Sequence, residues 1–134
     1  MNIWDVSIIV ANILIEIIFF AIGASIFSFL NVVIYRLPRG MQFSLGKSMC
    51  TTCKHELVRK DLIPIISWIS LRGKCRYCGA KISARYTIVE MLGGISAVLC
   101  TLFIGINLWA LLVFFISGVV TVVLYILYDK IKKQ

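Results

Sequence analysis

The sequence predicts an α-helical integral membrane protein with about three transmembrane helices and a small four-cysteine module between the first and the second. Two observations support this fold class. Hydrophobic residues make up 60% of the 134 residues and charged residues 15%, whereas soluble globular chains are roughly half apolar and a quarter charged. Four of the five cysteines form two closely spaced pairs in the polar stretch between apolar runs. The composition excludes an ordinary soluble domain.

The apolar runs define the predicted spans. The first covers residues 7–35, more than the roughly 20 residues that a helix needs to cross a bilayer. We expect one long, tilted helix here, and not a cleavable signal peptide, because the preceding segment carries Asp5 instead of basic residues. A second run covers residues 87–104 and a third covers residues 108–128. Only residues 105–107 separate these runs, which predicts a tight transmembrane hairpin.

The basic residues indicate how the spans are oriented. Of the 14 lysines and arginines, 11 lie in residues 36–85 and the other three in residues 130–133. Because cytoplasmic loops are enriched in Lys and Arg, we predict a cytoplasmic loop and C-terminus and an outside N-terminus. The predicted division is residues 1–35 for the first transmembrane segment, 36–86 for the basic loop module, and 87–134 for the hairpin and its basic tail. A membrane surface explains this charge, so we expect contact with lipids and no nucleic-acid partner.

The two cysteine pairs are separated by 21 residues, and their members are Cys50, Cys53, Cys75 and Cys78. Two C-x-x-C pairs at about this separation form knuckles that present four thiolates to Zn²⁺. Free thiols and two disulfides are the alternatives, and a cytoplasmic location disfavours disulfides. We predict a zinc site made by all four cysteines. His55 is then expected on the surface, because four thiolates already complete the site.

An apolar segment at residues 61–70 joins the two knuckles and is too short to span a bilayer. Asp61 is a candidate helix N-cap, although Pro64 lies later than the favoured first helical position. Trp68 suits the headgroup region, so the segment is predicted to rest on the membrane or pack against the spans. Hydrophobic filling of the small module is an equally weighted alternative.

Polar residues inside the predicted spans are expected to have partners, since intramembrane ionisable groups are costly. We predict that Glu90 pairs with Arg85 or Arg36 in a structural role. Glu16 lies deep in the first span and is expected to face a partner helix, and Asn31 is expected to hydrogen-bond another helix. Among nonpolar features, Cys100 is predicted to pack in the second span, and small residues such as Gly93 and Ala97 to allow close helix contact.

The order of these elements resembles that in the prepilin leader peptidases, bifunctional membrane enzymes that cleave and N-methylate type IV pilin-like precursors. The resemblance covers roughly residues 20–130 and corresponds to the first half of a family member. Thr87 stands where the family usually has proline. The matching positions are the run SFLNVVIYRLP at residues 28–38, residues 48–50, Cys53, residues 61–64, Ser67, GKCRYC at residues 73–78, ISARY at residues 82–86, and residues 89–90.

The resemblance implies proteolysis by two aspartates, in which one carboxylate acts as general base toward water and the other, protonated, acts as general acid. Asp129 follows the third span and precedes a basic stretch, so it matches the first catalytic aspartate. The second belongs to a G-x-G-D motif, which residues 1–134 do not contain. We therefore expect a fragment, a truncated product or one half of a split enzyme that is not proteolytically competent alone.

The leading hypothesis is the N-terminal portion of a prepilin leader peptidase and N-methyltransferase in the bacterial inner membrane. Its implied partners are prepilin-like substrates and a second half-enzyme carrying the G-x-G-D motif, and S-adenosylmethionine is implied only by the resemblance. The alternative is a non-enzymatic membrane adaptor that uses its zinc module to bind a partner protein. A membrane dithiol redox protein is disfavoured, because redox C-x-x-C pairs usually lack a second matched pair.

The predicted orientation is testable with a membrane-impermeant thiol reagent applied to intact cells. Cysteines introduced by Gly46→Cys or Arg72→Cys are expected to add no labelling over the parent chain, because they face the cytoplasm. Asn107→Cys, in the turn between the last two spans, is expected to be labelled. The reverse pattern would overturn the topology and favour disulfides in the loop.

Overall fold

The computed structural model describes residues 2–37, residue 40 and residues 48–132, apart from the side chains at positions 129, 130 and 132. Three of the helices in this part of the chain are long and apolar enough to cross a membrane. The predicted class, a helical membrane protein with three spans and a cysteine module between the first two, is confirmed. The elements are α1 at Ile3–Arg36, a 3₁₀ turn at Arg59–Leu62, α2 at Ile66–Ser70, α3 at Arg85–Ile104 and α4 at Leu108–Lys132.

Helix α1 is longer than the apolar run in the sequence. Its 34 residues correspond to about 51 Å at 1.5 Å per residue, compared with a hydrocarbon core of about 30 Å. The helix therefore either tilts or extends beyond the bilayer. At its N-terminus the backbone N–H of Asn2 donates to the Asp5 carboxylate at 3.0 Å, a contact that helps to define the first turn.

The turn between α3 and α4 is as short as predicted. Gly105 ends α3 with φ +82°, a conformation that glycine adopts without steric cost. The Asn107 side chain donates to the carbonyl of Ile104 at 2.7 Å and accepts the backbone N–H of Ala110 at 3.0 Å. One side chain thereby joins the end of α3 to the start of α4.

Helices α1 and α3 run antiparallel in close contact along small residues. A Cβ added at Gly23 would lie 2.7 Å from Cβ of Ala97, and one added at Gly94 would lie 2.6 Å from the Phe20 ring. The absence of side chains at these glycines lets the two backbones approach, as in other membrane helix pairs. The predicted close packing through Gly93 and Ala97 is confirmed.

Phe27 fills the centre of the three-span bundle. Its side chain is only 2% exposed. The ring packs on Gly93 of α3, and its centroid lies 5.7 Å from that of Phe114 in α4. Further along α4, a Cβ at Gly118 would lie 3.3 Å from the Leu30 methyl Cδ1. Phe27 therefore contacts both other spans, and its position depends on the backbone of Gly93.

We expect Gly93→Ala to destabilise the bundle by about 1–3 kcal/mol, the usual range for overpacking a filled site. The new Cβ would lie 2.5 Å from Cβ of Phe27, a rigid part of a buried side chain. Gly118→Ala is the matched control, since its nearest neighbour is the flexible end of Leu30. Thermal unfolding in detergent micelles measures both changes, and equal unfolding temperatures for the two variants would contradict this account of the packing.

Candidate metal centre

The first cysteine pair lies in a tight backbone turn. The N–H of Cys50 donates to the carbonyl of His55, and the N–H of Lys54 donates back to the carbonyl of Cys50, both at 3.0 Å. An antiparallel bridge between Met49 and Glu56 closes the turn. Lys54 has φ +58°, which is uncommon for a residue with a side chain. The turn brings Cys50 and Cys53 onto the same side.

The second pair repeats this turn with different residues. The N–H of Cys75 donates to the carbonyl of Ala80 at 2.8 Å, and the N–H of Gly79 donates to the carbonyl of Cys75 at 3.0 Å. Lys74 and Lys81 form the closing bridge. Gly79 has φ +70°, so glycine stands where the first knuckle has Lys54. Glycine adopts this conformation without steric cost.

The two knuckles bring the four predicted cysteines together. The sulfur atoms of Cys50, Cys53, Cys75 and Cys78 all lie within 4.8 Å of one another. The sulfurs of Cys50 and Cys78 are 3.8 Å apart, and a tetrahedral centre with Zn–S bonds of about 2.3 Å places its sulfurs about 3.8 Å apart. All five cysteines lie among the described residues and none is in a disulfide. The cluster can hold a metal ion such as zinc.

The thiols of the cluster differ in acidity. Backbone N–H groups of Cys53 and Thr52 donate to Cys50 and lower the pKa of its thiol to about 6. At Cys78 the backbone N–H of Ala80 favours the thiolate, but desolvation and the three neighbouring cysteines outweigh it and raise the pKa to about 11. Metal ligation requires deprotonated thiols, so metal binding at this cluster would be coupled to the release of protons.

His55 lies outside the group of sulfur ligands. It is exposed, as predicted, and its ring stacks on Tyr77 of the second knuckle with ring centroids 3.6 Å apart. This contact links the two knuckles through side chains as well as through the sulfurs. Cys100, the fifth cysteine, is buried in α3, in agreement with the predicted packing role.

Glu90 connects the module to the spans. Its side chain is nearly buried, with 9% exposed. One carboxylate oxygen accepts the Ser28 hydroxyl of α1 at 2.6 Å, and the other accepts the backbone N–H of Ile65 at 2.8 Å. Ile65 has φ +62°, and the N–H of Ile66 donates to the carbonyl of Pro64 at 2.5 Å. This is a γ-turn of the strained, positive-φ type.

The predicted pairing of Glu90 with Arg85 is wrong. The Arg85 guanidinium donates to the hydroxyl of Tyr125 and lies 4.8 Å and 4.6 Å from the ring centroids of Tyr86 and Tyr125. Arg85 begins α3 while Glu90 lies more than a turn inside it, so aromatic rings at the helix end are closer partners. The contact also places the C-terminal part of α4 at the end of the bundle where the module is attached.

Asp61 was predicted to cap a helix, and this prediction is wrong. The residue lies inside the 3₁₀ turn Arg59–Leu62. Its side chain is 2% exposed, and its Oδ1 accepts Nε and Nη2 of Arg76 at 2.8 Å and 2.6 Å. Arg76 lies between the two cysteines of the second knuckle. The ion pair therefore attaches the connecting segment to that knuckle.

Trp68 packs within the module. Its indole N–H donates to the carbonyl of Ile82 at 3.1 Å, and a Cβ at Gly73 would lie 2.9 Å from the indole ring. Gly73 has φ +67°, so both its conformation and its close contact with the ring require glycine. For Trp68 the structure supports hydrophobic filling of the module over the headgroup position.

The other two polar residues predicted to have interhelical partners, Asn31 and Glu16, have them across the α1–α3 interface. The Asn31 amide donates to the carbonyl of Tyr86 at 3.1 Å, which confirms the predicted interhelical bond. Thr101 donates to the Glu16 carboxylate at 2.7 Å, so Glu16 faces a partner helix, as expected.

Asp129, the predicted catalytic residue, lies in α4 directly after the third span, which ends at Tyr128. Its side chain lies outside the described residues. By backbone position it is one turn beyond Tyr125, at the end of the bundle to which the module is attached.

Sequence reasoning did not identify Arg76, Ile65 or Tyr125 as structural contacts. Each acts through a partner 15 to 40 positions away in the chain, and no helical or strand period connects such positions. The one available signal was composition: Asp61 is the only acid in residues 57–84, so an arginine partner nearby could have been expected.

The fold and the cluster define a class of protein: a helical membrane protein that carries a two-knuckle, four-cysteine module on the loop after its first span. Residues 21–104 match the family described as Bacterial Peptidase A24 N-terminal domain. The chain belongs to this family. Together with its three apolar helices, this membership indicates an integral inner-membrane protein.

Several curated proteins are similar to this chain. The prepilin leader peptidase/N-methyltransferase of Myxococcus xanthus is 43% identical over 81 residues, which cover 60% of this chain and 24% of the relative. The type 4 prepilin-like proteins leader peptide-processing enzyme of Escherichia coli is 36% identical over 114 residues, which cover 72% and 42%. The chain thus spans less than half the length of these relatives. No solved structure matches the chain significantly.

We expect the purified chain to hold one equivalent of zinc. A matched pair of variants should change the retention of zinc in opposite directions. Gly79→Ala should weaken the second knuckle by about 1 kcal/mol, because the left-handed conformation disfavours a Cβ. The new Cβ would meet no other atom within 4 Å, so the backbone conformation is the whole cost. Lys54→Gly should relieve the same cost in the first knuckle. Competition with a chromogenic chelator measures the retention. Zinc content well below one equivalent and unchanged by Cys75→Ser would contradict the site.

Proposed function

We propose that this chain is the zinc-holding N-terminal portion of a prepilin leader peptidase and N-methyltransferase, which processes type IV pilin-like precursors. The observation that carries the proposal is the convergence of Cys50, Cys53, Cys75 and Cys78 in two matching knuckles within a chain of the peptidase A24 N-terminal family. Relatives that share this part of the sequence are named as prepilin leader peptidases.

In this proposal the four cysteines bind zinc as a structural centre. When bound, the ion contributes folding free energy to a module that has little hydrophobic core of its own. Four sulfur ligands complete a tetrahedron, which leaves no open position for water or substrate. The module's own residues then do the positioning: Asp61 and Arg76 hold the connecting segment, and Glu90 attaches it to the spans.

The proposed arrangement in the membrane follows the distribution of charge. Residues 1–35 form the first span with its N-terminus outside, residues 36–86 form the cytoplasmic zinc module, and residues 87–134 form the hairpin with a cytoplasmic tail. The concentration of lysine and arginine in the loop and the tail supports this orientation. Membrane lipids and prepilin-like proteins are the proposed partners.

Asp129 is the proposed first catalytic aspartate. In two-aspartate proteolysis one carboxylate takes a proton from water while the other, protonated, donates to the leaving group. Asp129 is the candidate within residues 1–134. Asp61 is engaged by Arg76, and Asp5 lies in the first turn of α1, at the end of the helix away from the module. The second aspartate, in a G-x-G-D motif, is proposed to come from a partner segment. Methylation would use S-adenosylmethionine, in keeping with the names of the relatives.

The test reconstitutes cleavage of a prepilin in membranes. The chain alone is expected to cleave none, and co-expression with a partner segment carrying the G-x-G-D motif is expected to restore cleavage. Asp129→Asn should then reduce cleavage to background, since an amide can neither take up nor donate the proton. Zinc content and membrane insertion of the Asp129→Asn variant should match those of the parent.

The control is Asp5→Asn. Asp5 lies at the N-terminal end of α1, away from the module and from Asp129, so this variant should leave restored cleavage unchanged. Cleavage by the isolated chain would contradict the count of catalytic carboxylates. Restored cleavage that survives Asp129→Asn would place both aspartates on the partner and make this chain a non-enzymatic membrane adaptor.

A further inference from the structure

The short helix α2 has one packed face and one uncovered apolar face. The side chains of Ile66 and Ile69 are 63% and 62% exposed, and residues three apart lie on the same side of a helix. Trp68 points to the other side, where its indole donates to the carbonyl of Ile82. Within the described part of the chain, nothing covers most of the surface of the two isoleucines.

The contact with Glu90 sets the level of α2 relative to the spans. Glu90 lies five residues after Arg85, the first residue of α3, or about 7.5 Å along the helix axis. Helical side chains lean toward the N-terminus of their helix, so the carboxylate reaches back toward Arg85 and its tyrosine neighbours. Aromatic and basic residues together mark the headgroup region of a bilayer. Because Ile65 donates to Glu90, α2 begins close to that level.

Exposed basic residues flank α2 on both sides in the sequence. Arg59 and Lys60 precede it and Arg72 follows it, and all three are exposed. The only acid of the connecting segment, Asp61, is buried and paired with Arg76. Basic residues on both sides of the exposed isoleucines complement a surface of anionic headgroups above acyl chains, since basic residues near a membrane surface are attracted to anionic lipid.

We propose that α2 docks on the bilayer that the same chain spans, with Ile66 and Ile69 inserted among the acyl chains. Arg59, Lys60 and Arg72 lie against anionic headgroups. The zinc module is thereby held against the membrane at two points, the span ends and α2. This goes beyond the proposed function, because it gives α2 no part in the reaction and holds whether or not Asp129 is catalytic.

The experiment uses the full chain in vesicles of phosphatidylglycerol and phosphatidylcholine whose acyl chains carry bromine, a contact quencher of tryptophan fluorescence. Trp4→Phe and Trp109→Phe remove the two tryptophans of the spans, and Trp68 remains as a constant background. Ile66→Trp and, separately, Ile69→Trp then report on the face. Both are expected to lose more emission in brominated than in unbrominated vesicles. Thr52→Trp, at an exposed position of the first knuckle, is the control and should lose no more than the background.

Two further comparisons test the cause of the docking. Glu90→Gln retains an oxygen that can accept from Ile65 and should preserve the quenching at Ile66→Trp, whereas Glu90→Ala should reduce it. Replacing phosphatidylglycerol with phosphatidylcholine should also reduce it. Zinc content shows which variants keep the module folded. If Glu90→Ala loses zinc, its quenching is not used, and the comparison of Ile66→Trp and Ile69→Trp with Thr52→Trp decides whether α2 docks on the bilayer.

Quenching at Ile66→Trp and Ile69→Trp no greater than at Thr52→Trp would overturn the proposal. Blue-shifted emission that bromine does not quench would overturn it as well, because the face would then be covered by protein. Quenching that is equal with and without phosphatidylglycerol would contradict the role of the basic residues.

Discussion

The carboxylate of Glu90 is the contact on which the arrangement of module and spans depends. It accepts one bond from α1, through Ser28, and one from the module, through the backbone of Ile65, while its own helix is α3. A buried carboxylate is costly unless hydrogen bonds compensate it. The strained γ-turn at Ile65 likewise persists only where the surroundings hold it. Each group therefore needs the other, and together they connect three parts of the chain at one point.

The α1–α3 interface combines close packing with a few directional contacts. Glycine and alanine let the backbones approach, and packing of this kind supplies most of the attraction between membrane helices. Hydrogen bonds from Asn31 and Thr101 lie toward opposite ends of the interface and select one register, because a shift by one residue would break both. The register in turn brings Ser28 beside Glu90 and so positions the carboxylate that accepts the N–H of Ile65.

The module itself is held by short-range contacts. Each knuckle closes on its own backbone hydrogen bonds, and the stack of His55 on Tyr77 and the pair of Asp61 with Arg76 tie the parts together. Few of the module's residues are buried in the part of the chain that the structure describes. Sulfur ligation of a metal would therefore add stability that hydrophobic burial does not supply. The use of Lys54 where the second knuckle has Gly79 indicates that the first knuckle tolerates some backbone strain.

Local patterns in the sequence determined the three spans, the hairpin turn and the four-cysteine cluster, because hydrophobic length and C-x-x-C spacing act through near neighbours in the chain. The family resemblance, drawn from motifs in the same order, was also correct. Long-range pairing was decided only by the tertiary structure. Glu90 was expected to pair with Arg85 or Arg36, and in the structure it accepts the backbone N–H of Ile65. For Trp68 the sequence left a headgroup position and a packed position open, and its indole donates to the carbonyl of Ile82 within the module. These partners are chosen by how α1, α3 and the module meet in space, and no sequence period encodes that meeting.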